Sequence, residues 1–273
     1  MFLSLSIIFL KESGKIFHFF YLKIQQGEKM KRSITILLIL FTTIAFTQEN
    51  PVAASGGYSK VYVGKEAAYE KAVANHIAKW HGPDQWYQFG AKVMSGPRSG
   101  QYFTGTTGHY WQDYADRKTT KAHNDNWASI TEKYVEDSSG MIFFEKILDA
   151  SYNDRSAPMW EGTMYYTKPG GRGTMLNILR KAVEANKISN YDGSYGVYAI
   201  VSGGDQDGLL VLITRMDSMA DMAYTGPSVK ERWVKAFGEK AWEKDIKDWN
   251  SSYTKSTTEI NQLIPEMSTP SSD

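Results

Sequence analysis

Residues 86–100, WYQFGAKVMSGPRSG, decide the fold. Their first half alternates between two faces, with Tyr87, Phe89 and Ala91 on one side of the chain, which is the period of a half-buried strand. The Gly-Pro-Arg-Ser-Gly sequence that follows is typical of a tight turn. Residues 101–107 then predict the returning strand, so the whole stretch predicts a β-hairpin.

The same pattern returns in the second half of the chain. The tetrapeptide Ile200-Val201-Ser202-Gly203 repeats the pattern of Val93-Met94-Ser95-Gly96. Strands predicted at 195–201 and 209–214 flank a Gly-rich turn at 203–208, as in the first hairpin. An internal repeat of this kind indicates a duplicated structural unit.

Helices and strands are predicted in the same order around the two hairpins. In the first copy we predict helices at 67–80 and 127–135, and strands within 58–63 and at 86–94, 101–107 and 141–148. In the second copy we predict helices at 175–186 and within 229–249, and strands at 160–167, 195–201, 209–214 and 257–264. Each copy reads β-α-β-β-α-β, the ferredoxin-like pattern. The first repeat is placed at 55–155, the second at 156–268, and a flexible tail at 269–273.

A ferredoxin-like sheet carries both helices on one face and leaves its other face bare. Burying that face requires a second sheet, and the chain holds the second copy close by. We therefore predict an α+β fold in which two tandem ferredoxin-like βαββαβ units pack their antiparallel sheets face to face as an intramolecular pseudo-dimeric α/β barrel. Such a chain is either a monomer that acts as a pseudo-dimer or part of a homodimer.

Several local sequences support this fold beyond the order of elements. They are the Lys168-Pro169-Gly170 entry to a helix, Ser202-Gly203-Gly204 in the second hairpin, and the closing Leu263-Ile264-Pro265-Glu266-Met267-Ser268. Together they resemble the dimeric α/β-barrel superfamily over residues 58–268. More narrowly, the chain resembles exported, duplicated members related to antibiotic-biosynthesis monooxygenase domains, most of which have no assigned role.

The N-terminal sequence predicts export to the periplasm or the medium. Met30-Lys31-Arg32 precedes an uncharged run at 34–46, and polar residues follow it, which is typical of a secretory signal peptide. We predict a signal peptide and linker at 30–54, cleaved after Thr47 or Ala54, and no membrane contact afterwards. Residues 1–29 are predicted to be an extension from a misassigned start; a membrane-anchoring extension is the alternative.

Composition excludes several classes of function. The 31 Lys and Arg residues balance 30 Asp and Glu residues, so there is no electrostatic reason to expect a nucleic-acid partner. Cysteine is absent, which excludes disulfides and leaves core burial as the source of stability. No Gly-x-Ser-x-Gly elbow and no phosphate-binding loop is present.

The resemblance implies two candidate catalytic residues, and the cluster at 109–113 adds a third. Haem-degrading and cofactor-free monooxygenases of the superfamily place a Trp at the end of the third strand and a His on the next helix, and Trp111 and His123 match those places. Neighbouring His109 is the alternative proton acceptor. The same enzymes use an Asn on the first strand, which residues 58–63 lack. The structural alternative is that Trp111 caps the sheet and His123 lies in a solvated loop.

Further ligand-binding candidates are Trp86, Trp127 and His76. Aromatic residues make up 14% of the chain, enough to line a pocket for a flat apolar molecule, although they could equally fill the core. His76 and His81 are five positions apart, unlike the i, i+4 spacing of paired metal ligands, so no metal site is predicted.

Three functions remain open from the sequence. The first is binding of a small apolar or aromatic molecule, with cofactor-independent monooxygenase-like activity in its enzymatic version. The second is a non-catalytic module that recognises a partner or a glycan through exposed aromatics such as Trp242 and Trp249. The third is haem binding; otherwise no cofactor is predicted.

Overall fold

The computed structural model describes residues 50–82, 85–204 and 209–270 in full, and the backbone of 3–12 and 15–24. That backbone forms an antiparallel hairpin of β1 (Leu3–Glu12) and β2 (Lys15–Ile24), which belongs to a unit separate from the rest of the chain. The predicted signal run at 34–46 and the turn at 205–208 lie outside the described residues. Among the described residues, no helix is long and apolar enough to cross a membrane.

The elements of the second unit follow the predicted order in both repeats. In the first half they are β3 (Ala53–Val61), α1 (Glu66–Trp80), β4 (Phe89–Val93), β5 (Tyr102–His109), α2 (Trp111–Asp116), α3 (Lys121–Tyr134), β6 (Val135–Ser138) and β7 (Ile142–Lys146). In the second half they are β8 (Met159–Thr167), α4 (Gly171–Ile188), β9 (Tyr195–Ser202), β10 (Leu210–Met216), α5 (Val229–Phe237), α6 (Glu239–Ser251) and β11 (Tyr253–Ile264).

Eight strands of this unit form one closed antiparallel barrel, and the short β6 pairs with the end of β3 beyond β7. The first half runs β7-β3-β5-β4 and the second β11-β8-β10-β9, which is the ferredoxin-like order in each. Edge strands then join the halves: β7 pairs with β9, and β4 pairs with β11. The predicted fold class is confirmed, and this pairing leaves no free edge between the two sheets.

The helices lie on the outside of the barrel and bury apolar stripes against it. In the first half α1 buries Tyr69, Val73 and Ile77, which are four residues apart on one face. In the second half, Met175, Leu179 and Val183 of α4 share the same spacing. A third apolar cluster, which includes Met164, Tyr198 and Val211, faces the barrel interior.

The first half contains more helix than the sequence predicts. The predicted helix at 127–135 begins at Lys121, because the Thr120 side chain accepts a hydrogen bond from the backbone N–H of His123 and caps the helix. Trp111, predicted to end a strand, is the first residue of α2. The backbone N–H of Tyr110 donates a hydrogen bond to Asp113 Oδ2 and holds that helix start.

In the second half the helical sequence at 229–249 forms two helices. They meet at Gly238, whose φ of +85° is a conformation that favours glycine. Helix α5 begins at a capping box between Ser228 and Glu231. The pattern of apolar residues alone did not reveal this break.

The ends of the second unit extend beyond the predicted repeats. Ala53 and Ala54 are buried in β3, so a cut after Ala54 would remove the start of this strand and a cut after Thr47 would leave it whole. At the other end, Thr269 is buried and exchanges two hydrogen bonds with Gln88. The predicted tail therefore begins with an ordered residue.

Candidate functional site

The barrel encloses a cavity of about 550 Å³. This volume lies in the range of small-molecule sites. Side chains alternate along each strand, and the inward-facing set of both halves lines the cavity. Most lining residues that are also solvent-exposed gather at one end of the barrel, where they include Asn50, Pro51, Gly108, Leu148 and Arg155.

One wall of the cavity is aromatic. The Tyr58 and Phe103 rings lie 4.9 Å apart edge to face, and Phe103 also contacts Phe89 and Phe144 at 5.8 and 6.5 Å. Trp160 meets Phe89 edge to face at 6.1 Å. These rings come from five different strands of both halves, so the wall exists only in the closed barrel. Such a surface suits a flat apolar ligand.

A charged cluster lies at the end of the cavity near the exposed rim. Asp154 accepts a hydrogen bond from Nε of Arg215 at 2.7 Å and pairs with Nζ of Lys146 at 2.6 Å, and its side chain is only 6% exposed. Burial by itself would raise the pKa of Asp154. The bond from Arg215, reinforced by Lys146, outweighs that effect and lowers the pKa. Two cations facing one carboxylate leave a net positive charge at this end.

The opposite end carries a balanced ion pair. Arg98 binds both carboxylate oxygens of the buried Glu259, with Nε–Oε1 and Nη2–Oε2 distances of 2.9 Å, and its guanidinium stacks 3.6 Å from the Tyr58 ring. This geometry requires the turn that carries Arg98 to approach β11 closely at Gly96. A Cβ at Gly96 would lie 2.5 Å from the backbone oxygen of Thr258, so a larger residue would force the turn away. The charges cancel, so this end offers no excess charge to a ligand.

Trp86 and His109 lie together outside the cavity. Their rings stack with centroids 3.8 Å apart and planes at 9°. His109 Nε2 hydrogen-bonds Thr106 Oγ1, and Thr106 lines the cavity, so this bond links the His109 ring to the cavity wall. Burial lowers the pKa of His109, although Asp113 opposes the shift from a distance of 4.0 Å.

Trp111 lies on the outer surface at α2. It is 40% exposed and contacts the rings of Tyr114 and Phe143. It does not belong to the described lining of the cavity. The structure therefore places Trp111 close to the Trp86 and His109 pair but on the far side of the sheet from the enclosed space.

The remaining predicted residues, His76, His123 and Trp127, meet between α1 and α3. The His76 ring lies 4.8 Å from His123 and 5.0 Å from Trp127. His81, the residue after α1, joins them at 5.3 Å from His123. One ring nitrogen from each histidine lies within 4.8 Å of the others. We call His76, His81 and His123 the histidine cluster.

Burial keeps the inner histidines of the cluster neutral. Desolvation lowers the pKa of His76 to about 4, although a hydrogen bond to Asn126 opposes the shift. The pKa of His81 is lowered for the same reason, against a bond from its ring to the backbone oxygen of Trp86. Neutral imidazole is the form that binds metals. The sequence argument against a metal site weighed only His76 and His81, whereas the structure adds His123.

Sequence reasoning missed the charged residues of the cavity. Arg215 continues the inward alternation of Val211 and Ile213 on β10, and Glu259 stands two residues before Asn261 on β11. A charge in the inward register of a predicted strand was the available signal, since such a position is otherwise apolar. Arg98 gave no such signal because it projects from a turn.

No protein-family model and no curated protein sequence matches this chain. Similar solved structures include a candidate monooxygenase of Lactobacillus acidophilus, 6% identical, with a TM-score of 0.52 over 78% of this chain and 94% of the other. A candidate monooxygenase of Fusobacterium nucleatum is 14% identical, with a TM-score of 0.51 over 78% and 93%. An anthrone oxidase-like protein is 10% identical, with a TM-score of 0.50 over 79% and 92%.

At these identities the likeness concerns the fold alone. It agrees with the strand order in each half and with the edge pairings that close the sheet. The chain thus has a dimeric α/β-barrel fold, with both halves of the barrel supplied by one polypeptide.

Proposed function

We propose that this protein binds a small, largely aromatic molecule with an acidic oxygen inside the barrel. The observation that carries the proposal is the pairing of an aromatic wall with a single net-positive end in one cavity. Aromatic walls supply most of the binding free energy, and a few polar groups orient the ligand. The acidic oxygen faces Arg215 and Lys146, and the rings lie against Phe89 and Trp160.

In the enzymatic version of this proposal, the bound molecule reacts with dioxygen without a cofactor: one oxygen atom replaces two hydrogens on a substrate carbon, the other leaves with those hydrogens as water, and the substrate itself supplies the electrons. Positive charge at Arg215 and Lys146 lowers the pKa of a bound phenol or enol, and the resulting anion is the form that reacts with dioxygen.

His109 and His123 remain the predicted proton acceptors. Of the two, His109 is the one that hydrogen-bonds a lining residue, Thr106. Because the Thr106 hydroxyl donates to the backbone oxygen of Tyr87, His109 Nε2 is the donor in this bond, and Nδ1 is the nitrogen that can accept a proton.

The other two functions have less support in the geometry. No histidine belongs to the described lining of the cavity, so haem iron bound there would lack the imidazole ligand that many haem proteins use. Trp249 packs against Tyr165 at 5.1 Å, and Trp242 lies 6.3 Å from Trp233. These two tryptophans contribute to packing rather than to an exposed glycan platform.

Binding of 2-naphthoate and of its neutral methyl ester tests the proposal. We expect the naphthoate to bind the wild-type protein more tightly than the ester, measured by quenching of tryptophan fluorescence. Arg215→Gln should weaken naphthoate binding about 10- to 100-fold, because a hydrogen bond to a charged group contributes about 1.5–3 kcal/mol, and leave the ester unaffected.

Arg180→Gln is the matched control. Arg180 also bonds an aspartate through Nε at 2.7 Å, but it does so on the outer surface with Asp149. Equal binding of acid and ester, or unchanged naphthoate binding in Arg215→Gln, would refute the proposal. A Soret band after incubation with haemin would favour haem instead.

Export is proposed alongside this function. The supporting feature is the signal-like sequence at 30–46. N-terminal sequencing of the protein from periplasmic or culture-medium fractions tests it, with a mature start at Gln48 or Ser55 expected. A protein found only in the cytoplasm with an intact N-terminus would contradict it.

A further inference from the structure

We propose that the histidine cluster binds a zinc ion between α1 and α3, on the outside of the barrel and apart from the cavity. His76 lies on α1, His81 directly follows that helix, and His123 lies in the first turn of α3. The ion would join the two helices that cover the first half. Three imidazoles with an open fourth position form the ligand set of a common type of zinc site.

One distance within the cluster matches tetrahedral zinc. The Nε2 atoms of His81 and His123 lie 3.3 Å apart. Zinc–nitrogen bonds of about 2.0–2.1 Å at tetrahedral angles place neighbouring ligand nitrogens about 3.3 Å apart. One ring nitrogen of His76 lies within 4.8 Å of the other two, so the helices would need to draw together slightly for all three imidazoles to bind one ion.

Each imidazole is oriented by a hydrogen bond at its other nitrogen. His81 Nδ1 lies 2.7 Å from the backbone oxygen of Trp86, which can only accept, so Nδ1 carries the proton and Nε2 the lone pair. His76 Nδ1 lies 2.7 Å from Asn126 Oδ1, and His123 Nδ1 lies 3.1 Å from Asn124 Oδ1. Bonds of this kind fix the tautomer and orient metal-binding histidines.

The simplest rival is a direct hydrogen bond between His81 and His123 with no metal. It would satisfy His81 Nε2, but only if His123 carried its proton on Nε2 and gave up donation to Asn124. It would also leave His76 with a hydrogen bond only at Nδ1, to Asn126, among the described residues. A cation between the rings would bind all three imidazoles at once.

The surroundings define what the fourth position would accept. His123 is partly exposed, so the ion and a water molecule can reach the cluster from solvent. Among the described residues no carboxylate joins the group. The Arg117 guanidinium, 4.3 Å from the Trp86 ring, acts on both His76 and His81. Its charge disfavours a bare dication and favours an anionic fourth ligand, such as hydroxide or a carboxylate.

Zinc titration of the full chain, produced without a polyhistidine tag and stripped with a chelator, tests the proposal. We expect one zinc ion per chain with micromolar or tighter affinity, measured against a chromophoric chelator, and the visible bands of tetrahedral Co²⁺ on cobalt substitution. His123→Ala should weaken zinc binding more than about 100-fold, since loss of an outer-shell partner alone costs 10- to 100-fold.

Two further variants make the test specific. His109→Ala removes an imidazole outside the cluster and should leave zinc affinity unchanged. Asn126→Ala keeps all three ligands but removes the partner of His76, and should weaken binding about 10- to 100-fold. Circular dichroism in the presence of chelator establishes that each variant is folded. Absence of stoichiometric zinc binding, or equal affinity in wild type and His123→Ala, would overturn the proposal.

Discussion

Helices cover both halves of the barrel, and in each half a buried polar side chain joins two of them. In the second half, Arg232 of α5 donates from Nε to Asn186 of α4 at 2.9 Å, donates again to the Pro227 oxygen, and stacks 3.9 Å from the Tyr191 ring. In the first half, His76 of α1 bonds Asn126 of α3 at 2.7 Å and faces His81 and His123.

The two interfaces differ in the balance of donors and acceptors. The amide group of Asn186 accepts from Arg232 and donates to Tyr195, so its polar groups are used within the protein. In the histidine cluster, hydrogen bonds at the other ring nitrogens leave three imidazole nitrogens facing one another. The Arg232–Asn186 pair of the second interface is matched within the protein, although Trp233 Nε1 on α5 and Ser189 Oγ after α4 are buried without a partner among the described residues. The first interface instead presents lone pairs that a cation can bind.

The largest expected effect is the loss of stability in Arg232→Met. The buried Asn186 oxygen would lose its donor, the exposed Pro227 oxygen would lose another, and the stacking on Tyr191 would weaken, so we expect the free energy of unfolding to fall by about 2–4 kcal/mol. Urea denaturation in the presence of chelator measures it. Arg232→Lys is the control, because lysine keeps the charge but cannot donate to both acceptors in the same geometry. Its free energy of unfolding should lie between those of the wild-type protein and Arg232→Met. A change below about 0.5 kcal/mol in Arg232→Met would remove the distinction between the interfaces.

An intermediate effect is expected from pH acting on the first interface. Burial lowers the pKa of His76 from 6.5 to about 4. Between these values the unfolded chain binds a proton that the folded chain excludes, so stability is full above pH 6.5 and falls as pH decreases towards 4. Thermal unfolding in chelator measures the effect. Between pH 6.5 and pH 4 the wild-type protein should lose about 1–3 kcal/mol more free energy of unfolding than His76→Asn loses.

His76→Asn is a suitable reference, because the amide of the introduced asparagine can still donate to Asn126 and has no titratable proton in this pH range. A wild-type protein whose stability tracked that of His76→Asn from pH 7 to pH 4 would contradict the assignment of a neutral, buried His76. Added zinc should raise wild-type stability at pH 7 and lose this effect in acid, since protons compete with the metal for imidazole.

The smallest expected effect is that of His123→Ala on stability without metal. His123 is partly exposed, its ring bonds only Asn124 and His81, and alanine favours the helix. We expect the free energy of unfolding in chelator to change by less than about 0.5 kcal/mol. A loss comparable to that of Arg232→Met would show that the cluster holds the helices together by itself.

Much of the fold was predictable because local patterns carried it. The alternation before the Gly96 turn predicted β4 and β5, although β4 begins only at Phe89. The sequence prediction missed α2 and the first turns of α3. Capping at Tyr110 and Thr120 sets the starts of these helices, and the mostly polar residues between them show no apolar period that would have predicted a helix.

The candidate site was less predictable. Of the six residues selected from the sequence, three belong to the histidine cluster or its wall: His76, His123 and Trp127. Trp86, His109 and Trp111 lie at the outer edge of the barrel, and Lys146, Asp154 and Arg215 line its interior instead. Titratable residues are visible in a sequence, but which side of a closed sheet they face depends on register.

The sequence by itself determined the duplicated βαββαβ order, because strand and helix periods are properties of neighbouring residues. Only the tertiary structure decided how the edges of the two sheets pair, which charges lie inside the cavity, and that His123 joins His76 and His81. These arrangements unite residues far apart along the chain, and they follow from strand register and helix packing that no short stretch of sequence contains.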